Sequence, residues 1–329
     1  RDYDPDTIEG HNLFNFDLPY LAERGARWGV PMDWGRGGRP IQMKPSRFAV
    51  GERMVAYSRF DVPGRQVIDT YFLAQLYDLS HRELESYGLK AVARHFGVAA
   101  PDRTYIDGGD IGVEFERDPD RVARYLADDI RETRAISDLL SPAYFIQAQF
   151  LPFSYQNIAV RGNATKIDAL LIREYLRQGV ALPLPDAARP FAGGYTDLFR
   201  RGLVRNVHHV DVRSLYPSLM LIRRLAPRSD ERGVFLQLLD RLRTFRLEAR
   251  RRMEGLTGTE RAHGDALQST YKILINSFYG YLGFSQARFS DFDVAERVTA
   301  DGRALMSDML ATLRRLGAEP GQQVIITTH

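Results

Sequence analysis

Apolar residues recur at helical spacing through 122–140, where Val122, Leu126, Ile130, Ile136 and the Leu139/Leu140 pair form one stripe and predict a helix. Pro142 then breaks the chain. Upstream, Asp17-Leu-Pro-Tyr-Leu-Ala-Glu predicts a helix start with an acidic cap and an early proline. Alternation over 53–60 predicts a strand, 67–79 carries apolar residues into a turn, and 84–96 is amphipathic. Downstream, a helix is predicted over 166–178, and Leu182-Pro-Leu-Pro-Asp reads as a linker. A short apolar strand follows over 207–212, interrupted by a His pair. Two long helices over 234–254 and 265–282, joined by a Gly/Thr turn, predict an antiparallel hairpin. The first of these would be about 30 Å long at 1.5 Å per residue. A helix over 295–315 and a β-branched strand over 324–328 complete the pattern, with no internal repeat.

A chain of 329 residues with 44% hydrophobic content is long enough for two domains with their own cores. Its mean hydropathy of −0.32 is ordinary for a globular protein. The net charge of +3 is too small to force a nucleic-acid reading. Only Lys44, Lys90, Lys166 and Lys272 are lysines, so 41 of the 45 basic residues are arginine. Such a bias suits forked binding of phosphate and equally fits codon usage. Without cysteine, disulfides, thiol nucleophiles and thiolate zinc sites are excluded. No apolar run reaches the roughly 18 residues of a membrane helix. The chain starts at Arg1 without a charged-then-apolar leader, and the expectation is an internal piece of a longer cytosolic protein.

Candidate chemistry concentrates in two strings. Asp211-Val-Arg-Ser-Leu-Tyr-Pro-Ser218 places a carboxylate at the end of an apolar strand, followed by a tight turn. Alone, Asp211 serves either as a cap for that turn or as a ligand for Mg²⁺, which takes oxygen donors and bridges phosphates. Lys272-Ile-Leu-Ile-Asn-Ser-Phe-Tyr-Gly280 places Lys272, Asn276 and Gly280 on one helix face. There a cation neutralises phosphate, and a residue without Cβ lets a flat group lie close. The facing helix carries Arg241, Arg243, Arg246, Arg250, Arg251 and Arg252, a run that is most simply a solvated face. Further upstream, Asp17 closes His11-Asn-Leu-Phe-Asn-Phe-Asp17, and Tyr125 and Asp129 stand four apart on one helix. Singly, these acids read equally well as a cap and a surface charge.

Taken together, the strings resemble the core signatures of family B DNA polymerases, over essentially the whole chain. The resemblance implies an α/β (α+β, multidomain) fold with an RNase H-like 3′–5′ exonuclease portion over 1–140. It further implies an inter-domain segment and first part of a palm over 141–228, a two-helix fingers hairpin over 229–283 and the second part of the palm over 284–329. By the same resemblance Asp211 is a catalytic aspartate, with the Val212 carbonyl as auxiliary metal ligand. The amides of Ser214, Leu215 and Tyr216 hold the triphosphate, and Tyr216 is a steric gate against a 2′-hydroxyl. Lys272, Arg246 and Arg250 grip phosphates, while Asn276, Tyr279 and Gly280 line the nucleotide. Where the family often has lysine, this chain has Arg250.

For the exonuclease, the resemblance implies Asp17 and Asp129 as metal ligands, Tyr125 positioning the attacking water and Asn12 touching the DNA end. Asp128, one position off the helix face, is set aside. Phe191-Ala-Gly-Gly-Tyr195 is similar to the family's Tyr-x-Gly-Gly segment, so Gly193, Gly194 and Tyr195 are expected to touch template, with Phe191 in place of the tyrosine. Implied cofactors are Mg²⁺, or Mn²⁺ in its place. Implied partners are primer–template DNA and dNTPs, with a sliding clamp as a further candidate and no membrane. The implied location is the cytoplasm of a prokaryote, with the nucleoid. The first exonuclease motif is expected before Arg1 and the family's Tyr-x-Asp-Thr-Asp hairpin after 324–328. The chain alone is therefore expected to be catalytically crippled, and Asp291 and Asp293 are expected to be surface groups rather than substitutes. A non-catalytic DNA-binding subunit and a stand-alone exonuclease are the competing readings.

Overall fold

The computed structural model describes residues 3–50, 53–198, 201–203, 208–212, 214–317 and 324–328. The chain divides into two compact units, Arg1–Arg161 and Gly162–His329. No helix among the described residues is long and apolar enough to cross a membrane.

The first unit opens with β1 (Thr7–Gly10), a π-helical turn (Leu13–Asp17) and α1 (Leu18–Trp28). There follow β2 (Gln42–Val50), β3 (Arg53–Asp61), β4 (Gln66–Asp69), α2 (Thr70–His81), α3 (Leu89–His95) and α4 (Ile111–Arg117). The unit closes with α5 (Pro119–Leu140), α6 (Pro142–Phe150) and α7 (Tyr155–Val160). β1 pairs in parallel with β4, and β2 pairs antiparallel with β3 from Gln42↔Asp61 to Val50↔Arg53. Only part of that ribbon is buried, at Phe48, Val50, Tyr57 and Phe60. Phe72 of α2 stacks on Phe48 at 4.4 Å and meets Tyr57 edge-on at 5.1 Å, so the aromatic rings form the centre of the core. The unit runs past the boundary expected at 140 because α7 is bonded into the sheet. Its Gln156 side chain accepts from the Val67 amide at 3.0 Å and donates to the Phe60 carbonyl at 2.9 Å.

Two local features depart from the sequence pattern. Asp17 makes no capping hydrogen bond, because α1 continues directly from the π-helical turn and its first amides already have carbonyl partners. The cap that matters is Asp69, near the start of the 67–79 run, directly before α2 begins. Its buried carboxylate accepts from Tyr71 N of α2 at 3.0 Å and, across the chain, from Asn12 N at 2.8 Å and Phe14 N at 3.1 Å. These bonds hold Asn12 in the left-handed region, φ 69°, and so aim the π-helical turn.

The second unit comprises α8 (Asn163–Arg177), β5 (His208–Val212), α9 (Leu215–Arg223), α10 (Val234–Arg252), α11 (Gly258–Leu282), α12 (Phe292–Arg315) and β6 (Val324–Thr328). β5 and β6 pair in parallel, which sets Asp211 opposite Thr327. Phe235 meets Phe278 at 5.0 Å and Phe245 meets Tyr271 at 6.0 Å. Residue numbers therefore rise along α10 as they fall along α11, and the pair is antiparallel. Both ends of the pair nearest the core are tied to α8. The Tyr281 hydroxyl of α11 donates to Asp168 at 2.7 Å, and the Tyr175 hydroxyl donates to Asp230 at 2.7 Å. Asp230 in turn accepts the Val234 and Phe235 amides that open α10. Asp291 is a buried cap rather than a surface group. It accepts from Val294 N at 3.0 Å and from the backbone N and guanidinium of Arg228. Asp293, exposed, pairs with Arg189 and Arg228.

Burial pushes the Asp69 carboxyl up to about 6, against the pull of its three amides. An unfolded Asp titrates near ~3.9, so the folded unit holds this proton more tightly. The resulting stability is fully present below about pH 3.9, falls as pH rises and is gone once pH passes about 6, a change of roughly 3 kcal/mol at 1.36 kcal/mol per pH unit. Both tryptophans, Trp28 and Trp34, lie in the first unit, so urea unfolding followed by tryptophan fluorescence reads this unit alone. The stability difference between wild type and Asp69→Asn is expected to shrink between pH 4 and pH 7. In the second unit, Tyr281→Phe strands the buried Phe289 amide that its hydroxyl accepts at 3.2 Å. The expected loss, read by circular dichroism in urea, is about 1–3 kcal/mol.

Candidate active sites

In the first unit a cleft of about 770 Å³ opens between β1 and α5. Glu9, His11 and Asp17 line one side, and Asp129, Thr133, Arg134 and Asp138 line the other. The structure thus brings Asp17 and Asp129 to the same cleft from positions far apart in the chain. Asp17 is half-buried, and burial pushes its carboxyl up. Asp129 accepts from the guanidinium of Arg103, a buried side chain that also donates to Glu132 at 2.6 Å. His11 sits between Thr70 Oγ1 at 2.9 Å and the Tyr87 carbonyl at 2.8 Å. A carbonyl only accepts, so Nε2 carries the proton, and burial lowers the ring's pKa.

Asp128 is buried and accepts from the Thr104 amide at 2.8 Å and from Arg131, which pins the segment carrying Arg103. The other two expected residues do not line the cleft. Tyr125 packs with Ile106 and Val122, and its hydroxyl accepts from Lys90 Nζ at 3.0 Å. Asn12 offers its backbone to Asp69 instead. Glu9 and Arg103 were not expected. A glutamate inside the four-residue strand Thr-Ile-Glu-Gly was the one available signal for Glu9, and nothing local marks Arg103. The oxygen donors of Asp17, Asp129 and Glu9 suit a hard cation such as Mg²⁺. Among the described residues no three His, Asp or Glu side chains converge closely enough to hold one alone.

In the second unit Asp211 lies on β5, and its side chain falls outside the described part of the structure. Ser214 follows in the left-handed region, φ 51°, and opens α9 without a side-chain cap, so the Leu215 and Tyr216 amides stand at a helix N-terminus. Beside that terminus is a pocket of about 290 Å³, lined by Ser214 and Ser218 of this turn, Arg243, Arg246 and Arg250 of α10, and Ile275 of α11. The three arginines bring positive charge beside that terminus. Lys272, Asn276 and Gly280 are exposed on one face of α11 and do not line this pocket. A Cβ on Gly280 would meet nothing within 4 Å, so that face is open. Tyr279 packs on the Tyr216 ring at 4.6 Å, and burial pushes its hydroxyl pKa up.

The segment carrying Gly193, Gly194 and Tyr195 is held by α12. Thr299 Oγ1 donates to the Ala192 carbonyl at 2.8 Å, and Arg303 donates to the Ala192 and Gly193 carbonyls. Phe191 lies 6.1 Å from the Phe292 ring, and a Cβ on Gly283 would come within 3.2 Å of it. The Tyr195 hydroxyl donates to Asp197. Thr299 and Arg303 were missed because the 295–315 stripe shows only which helix face is apolar.

The family model for the exonuclease domain of DNA polymerase family B matches residues 1–92, and that for DNA polymerase family B matches 222–321. A DNA polymerase of Archaeoglobus fulgidus is 29% identical over 92% of this chain and 40% of its own length. One from Thermococcus gorgonarius is 28% identical over 99% and 44%. The solved family B DNA polymerase from the hyperthermophilic archaeon Pyrobaculum calidifontis superposes with a TM-score of 0.73 at 26% identity, covering 96% of this chain and 44% of that one. The chain therefore spans about two fifths of the length of the relatives it matches. Mixed helix and sheet, exonuclease and polymerase signatures and relatives along nearly its whole length agree that the chain belongs to DNA polymerase family B.

Proposed function

We propose that the protein carrying this chain extends a DNA primer with dNTPs on a template and removes misplaced nucleotides from the 3′ end. The observation that carries the reading is the arginine-lined pocket at the N-terminus of α9, directly after the strand that bears Asp211. In this reading Asp211 and the Val212 carbonyl hold Mg²⁺ or Mn²⁺, which when bound lowers the charge on the reacting phosphate and activates the primer hydroxyl. Ser214, Leu215 and Tyr216 offer backbone amides to the triphosphate. Arg246 and Arg250, with Arg243 beside them, take its outer oxygens through charge-assisted bonds. Lys272 and Asn276 approach the phosphates once α10 and α11, acting as fingers, close over the nucleotide. The open face at Gly280 lets the nascent base pair lie against α11, with Tyr279 and Tyr216 beneath the sugar.

In the first unit, Asp17 and Asp129 would hold the metal for 3′–5′ hydrolysis, with Glu9 on the same wall. Tyr125, whose hydroxyl accepts from Lys90 and keeps its own proton to donate, would position the attacking water once its ring turns toward the cleft. Asn12 at the DNA end, Gly193, Gly194 and Tyr195 along the template, and a clamp elsewhere complete the proposed partners. The cytoplasm of a prokaryote, at the nucleoid, is the proposed setting.

The test is a 5′-labelled primer–template incubated with the full-length protein, Mg²⁺ and dNTPs. Asp211→Ala is expected to reduce extension by at least about a hundredfold with DNA binding retained. Arg246→Ala and Arg250→Ala should each raise the KM for dNTP roughly 10- to 100-fold, as loss of a bond to a charged group does. Extension unchanged by Asp211→Ala would refute the polymerase reading. For proofreading, Asp17→Ala and Asp129→Ala should each abolish shortening of a mismatched primer while extension continues. Shortening that survives in both variants would move the nuclease site elsewhere.

A further inference from the structure

Two glycines fit around the Tyr216 ring in a way the backbone does not ask for. A Cβ on Gly302 of α12 would lie 3.0 Å from Tyr216 Cε1 and 3.7 Å from Cδ1. A Cβ on Gly194 would lie 2.5 Å from the Tyr216 hydroxyl oxygen and 3.9 Å from Cζ. Neither glycine has a left-handed φ, so what a side chain at either position would meet is the Tyr216 ring and not a backbone conflict. Gly302 sits in the interior of a helix, where glycine is less favourable than alanine. That cost leaves room for a ring.

The two contacts are mechanically linked. Thr299, Gly302 and Arg303 share one face of α12. Thr299 and Arg303 bond the Ala192 and Gly193 carbonyls, and so fix the segment that brings Gly194 to the Tyr216 hydroxyl. Tyr279 bounds the ring at 4.6 Å. Tyr216 therefore stands in a slot set by Gly302 against the edge of its ring, Gly194 at its tip and the Tyr279 ring.

We infer that Gly194 and Gly302 are positioning residues for sugar selection: they set the depth of the Tyr216 ring and thereby the discrimination between deoxy- and ribonucleotides. The inference rests on the reading of Tyr216 as the residue beneath the nucleotide sugar. A methyl group at either position drives the ring or its hydroxyl out of the slot, toward the substrate side. The two substitutions differ in how they can be relieved. Removing the hydroxyl clears the clash at Gly194, whose contact is with oxygen. It does nothing for Gly302, whose contact is with the ring.

The experiment measures kcat/KM for insertion of a dNTP and of the matching rNTP by the full-length protein, with primer–template binding as a check of fold. Gly194→Ala is expected to change the dNTP-to-rNTP ratio about tenfold or more, and adding Tyr216→Phe should bring it back to within about twofold of Tyr216→Phe alone, a strong coupling in a double-mutant cycle. Gly302→Ala should shift the ratio and stay shifted in the Tyr216→Phe background. A ratio unmoved by Gly194→Ala overturns the inference, as does a loss of selectivity or fold in Gly194→Ala that Tyr216→Phe fails to rescue. Tyr216→Ala separates the two layers: an unchanged ratio there removes the gate reading itself, whereas a relaxed ratio with silent glycine variants removes only the slot.

Discussion

A buried carboxylate must be met by donors or it destabilises the fold by several kcal/mol, and much of this chain's geometry follows from how three buried aspartates and the half-buried Asp168 are met by donors. Asp69 accepts three backbone amides, two of them from the turn that leads to Asp17. Asp230 accepts the opening amides of α10 and a tyrosine hydroxyl. Asp168 accepts the Tyr281 hydroxyl and the Arg288 amide, fixing the end of α11 and the chain beyond it. Asp291 caps α12 and holds Arg228. Each carboxylate joins segments distant in sequence, so an element carrying a candidate functional residue is anchored by an acid that is itself saturated. Such a bond is directional in a way that apolar packing is not, and this suits elements that must present a side chain at a set angle.

The acids facing the cleft of the first unit are differently placed. Asp17 lies where its helix has no amide to offer, because the π-helical turn has already supplied the carbonyl partners. Had α1 begun with an ordinary cap, the carboxylate would have been turned back onto the helix. The π-helical turn thus converts a capping residue into a cleft residue without changing its identity. Asp129 is held more firmly, since Arg103 engages Oδ1 and balances its charge together with that of Glu132. A cation entering the cleft meets one carboxylate raised by burial and another shared with a guanidinium. Neither acid is free of its surroundings, and a hard cation there would compete with burial on one side and with a guanidinium on the other.

How much of this was legible in the sequence depended on range. The long stripes of α5, α10, α11 and α12 predict their helices because each repeats its pattern over many turns, and the β-branched run of β6 is equally plain. β1, with four residues, has too few positions to show alternation, and α4, α6 and α7 are too short to show a stripe. The strings around Asp211 and Lys272 are legible because their residues are close in sequence. The Asp69 latch is not, since its partner Asn12 lies 57 residues away and nothing beside either residue announces the other. The same holds for Gly302 and Tyr216, whose relation is one of space. Tyr125 shows the same limit from the other side: its helix face is legible beside Asp129, but its partner Lys90, on another helix, is not.

The arginine bias resolves into two uses once partners are visible. Arg103 serves Asp129 and Glu132, Arg189 serves Asp293 and Glu296, and Arg228 reaches Asp291 and Asp293. One planar fork can bridge two acids, whereas a lysine would satisfy them only as a point charge. Those arginines are part of the fold's internal charge balance and add nothing to the field outside it. Arg243 and Arg250 make no ion pair among the described residues and line the pocket beside Ser214. Net charge is therefore a poor guide to anion binding in this chain. A near-neutral total conceals acid–arginine pairs that cancel one another, buried at Arg103 and exposed at Arg189 and Arg228, and an excess of positive charge on one helix. A polyanion responds to that local excess and to the helix terminus beside it.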